Sequence, residues 1–192
     1  MDQRLTKTVV ARRQLATAIR LHFANGDAVS VYSLAANAWE IIDVLCQKAG
    51  VESLSMQARE NIPADVDLKK KYINSPHRNF FKHADSDFDK ELDPIPEAQV
   101  DAVLFLAVED YIRLTKKSPV EFQVFQIWYL AAHPEKVIKT ALDDVITIAA
   151  GYFPNMNSMP RSQKLAIGAQ VLAKAEGDNE LQGDSRTESA FG

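Results

Sequence analysis

The stretch AVSVYSLAANAWEIIDVLCQKAG, residues 28–50, carries the strongest periodic pattern in the chain. Its apolar residues recur at the three- and four-residue intervals of one helical face: Val31, Leu34, Ala35, Ala38, Ile41, Ile42 and Leu45. Asp27 or Ser30 can cap the start of this helix, and Gly50 follows its end. Such a wide apolar stripe must be covered by more than one neighbour. The pattern therefore predicts a helical bundle around this segment.

The preceding segment predicts an antiparallel partner for that helix. One face of a helix over about residues 5–24 carries Ala11, Leu15, Ala18, Ile19 and His22, and Asn25-Gly26 stops it. Because the connection is short, we expect the two helices to pack against each other.

Prolines and glycines mark further helices downstream. A short helix is expected over about residues 54–61, and residues 65–73 favour either a helix or an ordered loop. Pro96 opens a helix to about Leu114, and Ser118 and Glu121 have capping-box spacing before the next helix. Pro134 opens another to about Gly151, and the last helix spans about residues 163–175. We predict an all-α bundle of about six helices in a single domain, residues 1–176, followed by a disordered polar tail, residues 177–192.

Composition restricts the class of protein. The 192 residues are 46% hydrophobic and 25% charged, as expected of one globular domain, and the net charge of −4 offers nucleic acid no global attraction. The lone Cys46 excludes a disulfide framework and a cysteine zinc site. We find neither a signal peptide nor an apolar run of the roughly 20 residues that a membrane span requires. We therefore expect a soluble, cytoplasmic protein.

The hexapeptide Arg78-Asn79-Phe80-Phe81-Lys82-His83 is the one stretch that suggests chemistry. Ser75 and Pro76 have the form of an N-cap and first helical residue, which would place the hexapeptide in the first turns of a helix. On a helical wheel the four polar side chains share one arc, opposite the phenylalanines.

Two interpretations of this polar arc remain open. Arginine, lysine, amide and imidazole groups together could hold and cleave a phosphodiester, because they combine positive charge, hydrogen-bond donors and a titratable base. The same pattern is also typical of the solvated basic face of an amphipathic helix.

The Arg-Asn-x-x-x-His pattern of Arg78, Asn79 and His83 resembles the signature of HEPN domains, helical bundles found among bacterial toxin and abortive-infection ribonucleases. The resemblance implies a homodimer that cleaves RNA without a metal, the ribose 2′-hydroxyl attacking to leave a cyclic phosphate. His83 would be the general acid/base and Arg78 the phosphate or transition-state stabiliser. Asn79 would be the polar residue after the arginine, and Lys82, on the same arc, would contact the substrate.

Metals and cofactors are not expected. The run Asp85, Asp87, Asp89 imitates a calcium loop, but Lys90 occupies its required glycine position and Pro96 its final glutamate position. His77 and His83 fall on different arcs of the helix and cannot share a metal.

The remaining polar candidates and the apolar helix faces favour an alternative without catalysis. We interpret His22 and His133 as structural, and Glu40 as a boundary residue paired with an arginine such as Arg12 or Arg13. The alternative function is a non-catalytic helical interaction module that binds a protein partner through an apolar face. The candidate face carries Phe122, Phe125, Trp128 and Tyr129, whose spacing equally predicts the inner face of their helix, in the core or at a subunit interface.

Overall fold

The computed structural model describes residues 4–85, 88–136 and 143–191, and this part of the chain is helical, without strands. Its α-helices are α1 Lys7–Phe23, α2 Ala28–Ala49, α3 Leu54–Glu60, α4 Asn79–Lys82, α5 Glu97–Thr115, α6 Val120–Ala132, α7 Asp143–Tyr152, α8 Arg161–Glu176 and α9 Asn179–Gly183. The all-α prediction is confirmed. The nine described helices exceed the predicted six because three of them are short. Of the predicted helix after Pro134, residues 137–142 lie outside the described residues.

Helices α1, α2 and α5 form the centre of the core. Thr6 caps α1 and Asp27 caps α2 through side-chain oxygens, and Gly50 ends α2 with the left-handed φ of 64° that glycine tolerates. The predicted face of α1 is buried, with Leu15 and Ile19 fully so. Helix α2 packs against both α1 and α5. The bundle predicted around residues 28–50 is therefore present.

By length and composition alone, α2 is apolar enough to cross a membrane, with a mean hydropathy of 1.3 over its most apolar window. Half of that window is buried inside the fold, as in the core helix of a globular protein. Two carboxylates on α2, Glu40 and Asp43, form ion pairs with Lys69 and Arg59. These pairs fit a bundle helix with one polar edge.

The capping box predicted at Ser118 and Glu121 is wrong. Glu121 is buried, and its Oε1 accepts hydrogen bonds from Arg20 Nε at 3.0 Å and Nη2 at 2.7 Å. Pro119 occupies the N-cap position of α6, while the backbone of Ser118 pairs with that of Arg186 and Glu188. A long-range ion pair has replaced the local cap.

The four aromatic residues suggested as a partner-binding face are instead inside the protein. Phe122, Phe125 and Trp128 are fully buried and Tyr129 is 5% exposed. Phe125 packs on Trp128, Tyr129 and Phe23 of α1, and Phe122 packs on Tyr111 of α5. A docking face in the described residues must therefore lie elsewhere.

The segment 177–191 differs from the disordered tail predicted for residues 177–192. Asp178 caps α9, and the Glu188 carboxylate accepts hydrogen bonds from Arg12 at 2.6 Å and from Tyr111 at 2.8 Å. Ala190 is buried in the core. A few anchoring contacts order this polar segment, which its composition could not indicate.

Candidate functional site

The candidate hexapeptide follows an irregular helical turn. A π-type helical segment, Lys69–Arg78, is interrupted at Ser75, whose backbone is extended with φ −99° and ψ 136°, and continues directly into α4. An extended residue before Pro76 is expected, since proline disfavours helical geometry in its predecessor. His83 is also extended, with φ −124° and ψ 107°, and lies beyond the end of α4. The prediction that His83 shares a helical arc with Arg78 is therefore wrong. Of the other polar candidates, Asn79 and Lys82 lie within α4 and continue the turn from Arg78.

Arg78 is buried and held by three side-chain oxygens. Its Nη1 donates to Asn74 Oδ1 at 2.8 Å, and its Nη2 donates to Asn37 Oδ1 at 2.8 Å and lies 2.6 Å from Glu40 Oε2. Only 6% of its side chain is exposed. This guanidinium has a fixed orientation against α2.

Glu40 joins two cations to α2. Its other carboxylate oxygen accepts a hydrogen bond from Lys69. Burial alone would raise the pKa of Glu40, but the hydrogen bonds from Lys69 and Arg78 outweigh it and lower the pKa. The prediction that Glu40 is a boundary residue paired with an arginine is confirmed, but the arginine is Arg78, whereas Arg12 pairs with Glu188.

The other three candidates lie on the surface. Asn79, Lys82 and His83 are exposed, and within the described ranges none of their side chains forms a hydrogen bond or ion pair. His77 is different: it is buried, with Nε2 3.3 Å from the Asp93 carbonyl oxygen. The structure thus brings Arg78 to a polar cluster on α2 and leaves His83 accessible to solvent.

Positive charge is concentrated around these residues. Residues 69–83, here called the basic segment, contain five lysines and arginines and no aspartate or glutamate, although the whole chain carries −4. Of these cations, Lys70, Lys71 and Lys82 are exposed. A local positive surface of this kind can attract phosphate even on an acidic protein.

A second polar cluster, which the sequence did not reveal, surrounds Asp101 on α5. Asp101 is fully buried and accepts two hydrogen bonds from Arg161, at 2.5 and 2.7 Å, and one contact from His133 Nε2 at 3.0 Å. His22 Nε2 lies 3.5 Å away. These contacts join α1, α5, α8 and the end of α6. An aspartate beside an apolar stripe gave no signal, because its partners come from distant parts of the chain.

The charge states in this Asp101 cluster are set by burial and pairing. Burial would raise the pKa of Asp101, but hydrogen bonds from Arg161 and His133 lower it overall. Burial lowers the pKa of His22 to about 4, so its ring is neutral near pH 7. The cluster is thus centred on a fully buried carboxylate, although Arg161 and His133 are 23% and 16% exposed and His22 Nε2 forms no hydrogen bond with a described residue. Its contacts between helices are in line with a structural role for both histidines.

Comparisons with protein-family models, curated proteins and solved structures returned no match. No group of three or more residues in the described ranges has the arrangement of a metal site. The residues of the chain must carry the functional inference.

Proposed function

We propose that this chain is a HEPN-like RNA-binding protein that cleaves RNA without a metal ion. The observation that carries the proposal is the exposed imidazole of His83, at the end of a basic segment whose Arg78 is rigidly held. Imidazole is the side chain best suited to proton transfer near neutral pH. Exposed cations beside it would attract the phosphates of RNA.

The proposed reaction needs a base and an acid. The base takes the proton of the ribose 2′-hydroxyl, whose oxygen attacks the adjacent phosphorus while the bond to the 5′-oxygen breaks. The acid protonates the departing 5′-oxygen, leaving a 2′,3′-cyclic phosphate and a 5′-hydroxyl. His77 is buried, so His83 is the histidine of the basic segment available for either step.

A homodimer would supply both groups. Two copies that place their basic segments together would present two His83 side chains, one as base and one as acid. They would also double the local positive charge, which offsets the acidic surface of each chain. Arg78 would contribute fixed positive charge, and Asn79 and Lys82 would contact the phosphate backbone.

The test is RNA cleavage in EDTA by the wild type and by His83→Ala, with Lys174→Ala, an exposed residue on α8, as the control. We expect His83→Ala to lose about 10²- to 10⁴-fold in rate, the usual contribution of a general acid/base. Circular dichroism should show all three proteins equally folded, because both positions are exposed. Equal rates for wild type and His83→Ala, or no cleavage by the wild type, would refute the nuclease proposal.

A second candidate function is a non-catalytic interaction module. A groove of about 740 Å³ lies between α6, α7 and α8, and Ile148 and Tyr152 at its edge are 51% and 60% exposed. Exposed apolar side chains beside a groove favour a protein contact. This candidate is tested by self-association. The double variant Ile148→Asp/Tyr152→Asp should abolish self-association, whereas His83→Ala should leave it unchanged. Light scattering measures both outcomes.

A further inference from the structure

A groove of about 530 Å³ on the outer side of α1 and α2 has Arg78 in its lining. Its apolar wall comes from α2, where Ile41 and Leu45 are half-buried and Val44 is 46% exposed. The sequence pattern predicts Ile41 and Leu45 in the buried stripe. The described helices do not fully cover this part of α2, so it remains open to a ligand.

Two buried polar atoms of the groove lining are without a partner in the described structure. One is a donor, Arg78 Nε, and the other an acceptor, Gln14 Oε1. Buried polar groups are nearly always hydrogen-bonded, and leaving one unpaired costs about 1–3 kcal/mol. Both atoms are closed to solvent in this conformation, so a ligand that has both kinds of group would bond them after the half-buried Gln14 side chain turns toward the groove.

The charge of the groove favours an anion. Its lining has three cations, Lys7, Lys48 and Arg78, and one carboxylate, Glu40, which Arg78 and Lys69 already neutralise. Lys7 and Lys48 are exposed, and neither forms an ion pair with a described residue. Their charges are therefore available to a ligand.

The polar groups are separated along the groove. Only residues 24–27 connect α1 to α2, and the two helices pack together, so the start of α1 lies beside the end of α2. Lys7 and Lys48 are thus at one end. Gln14 is about 10 Å of helix rise from Lys7, and Asn37 is about 16 Å from Lys48. A ligand in this groove would have its anionic part at the lysines and a hydrogen-bonding part near Arg78.

We propose that the groove binds a nucleotide of single-stranded RNA, with the phosphates at Lys7 and Lys48 and the base at the other end. The edge of a base carries donors and acceptors that could pair with Gln14 and Arg78, and its flat face can pack on the apolar wall. The inference rests on the proposed function, because it places the RNA beside the same Arg78.

The experiment measures binding separately from cleavage. The probe is a fluorescent single-stranded RNA with 2′-O-methyl riboses, which lacks the attacking hydroxyl and cannot be cleaved by the proposed reaction. Fluorescence anisotropy gives its affinity at several salt concentrations for the wild type and for Lys7→Ala/Lys48→Ala. The control, Lys117→Ala/Lys174→Ala, removes the same charge from exposed lysines that line the groove between α6, α7 and α8.

We expect Lys7→Ala/Lys48→Ala to reduce the slope of log affinity against log salt by about 1.4, since each phosphate contact to a single strand contributes about 0.7. The control should keep the wild-type slope. Gln14→Leu should weaken binding about tenfold without changing the slope, because it removes an uncharged acceptor. A nucleoside monophosphate should compete with the probe, whereas inorganic phosphate at the same concentration should not.

The groove proposal is overturned if the wild type does not bind the probe, or if the two double variants change the slope equally. It is also overturned if the monophosphate binds in the groove while the RNA does not. Failure of the nuclease proposal looks different: His83→Ala and wild type would cleave natural RNA equally or not at all, while the groove variants would still alter binding. Cleavage that depends on His83, with a slope unaffected by Lys7 and Lys48, would reject the groove alone.

Discussion

Two arginine–carboxylate centres in this molecule have opposite surroundings. Asp101 is completely buried, and its partners Arg161, His133 and His22 come from other parts of the chain. The carboxylate of Glu40 is 34% exposed, and its partner Arg78 lines an open groove and keeps one buried N–H unpaired. The Asp101 centre, here called the closed centre, can only hold helices together. The Glu40–Arg78 centre, here called the open centre, can also contact a ligand. The difference separates a structural polar cluster from a candidate functional one.

Breaking the closed centre should have the largest effect on stability. Asp101→Asn leaves Arg161 and His133 facing a neutral amide at a fully buried position, and we expect it to lower the free energy of unfolding by about 3–5 kcal/mol. Urea denaturation measures the change. Glu97→Gln is the matched control, because Glu97 Oε2 lies 3.7 Å from Arg161 Nε but is 67% exposed, and should cost under about 0.5 kcal/mol. Equal costs for the two variants would contradict a structural role for Asp101.

The closed centre should also make stability depend on pH. The pKa of His22 is lowered to about 4 by burial, against 6.5 in an unfolded chain, so the unfolded state binds a proton first as the pH falls. Its contribution is therefore complete above about pH 6.5 and lost toward pH 4, a decrease on the order of 3 kcal/mol. The difference between wild type and His22→Gln, measured by urea denaturation across this range, isolates the effect. Parallel pH curves for the two proteins would show that His22 is not held neutral.

Breaking the open centre should have the smallest effect on stability. Glu40→Gln keeps an oxygen that can accept hydrogen bonds from Arg78 and Lys69, and the position is partly exposed. Because Arg78 is only 6% exposed and would keep hydrogen bonds but lose its charged partner, we expect a cost of about 1–2 kcal/mol, below that of Asp101→Asn. RNA binding should become tighter, because the change removes the one carboxylate of the groove lining. A cost equal to that of Asp101→Asn, or weaker binding, would show that the two centres do not differ in this way.

The helical core could be predicted from sequence because local periodicity determines it. The buried faces of α1, with Leu15 and Ile19, and of α6, with Phe122 and Phe125, are those that the spacing indicates. The centres could not be predicted in the same way. Arg78 pairs across 38 residues with Glu40, and Arg161 across 60 residues with Asp101, and neither spacing leaves a local pattern.

Predictions from local sequence spacing were also wrong where a distant residue binds one of the groups involved. Ser118 and Glu121 have the spacing of a capping box, but Arg20 takes the glutamate and the segment around Glu188 takes the serine backbone. For the candidate site, the sequence singled out Arg78 and His83, but it could not show that one is buried and the other exposed. That difference arises because α4 ends before His83.

The most direct test measures unfolding and RNA cleavage in EDTA for His83→Ala and Asp101→Asn side by side. We predict that His83→Ala removes cleavage and changes the free energy of unfolding by less than about 0.5 kcal/mol, as expected of an exposed position. Asp101→Asn should lower stability by about 3–5 kcal/mol and retain cleavage under conditions where it remains folded. Unchanged cleavage by folded His83→Ala would contradict the assignment of function to the basic segment. An Asp101→Asn variant that keeps the wild-type free energy of unfolding but loses cleavage would contradict the structural role of the Asp101 cluster.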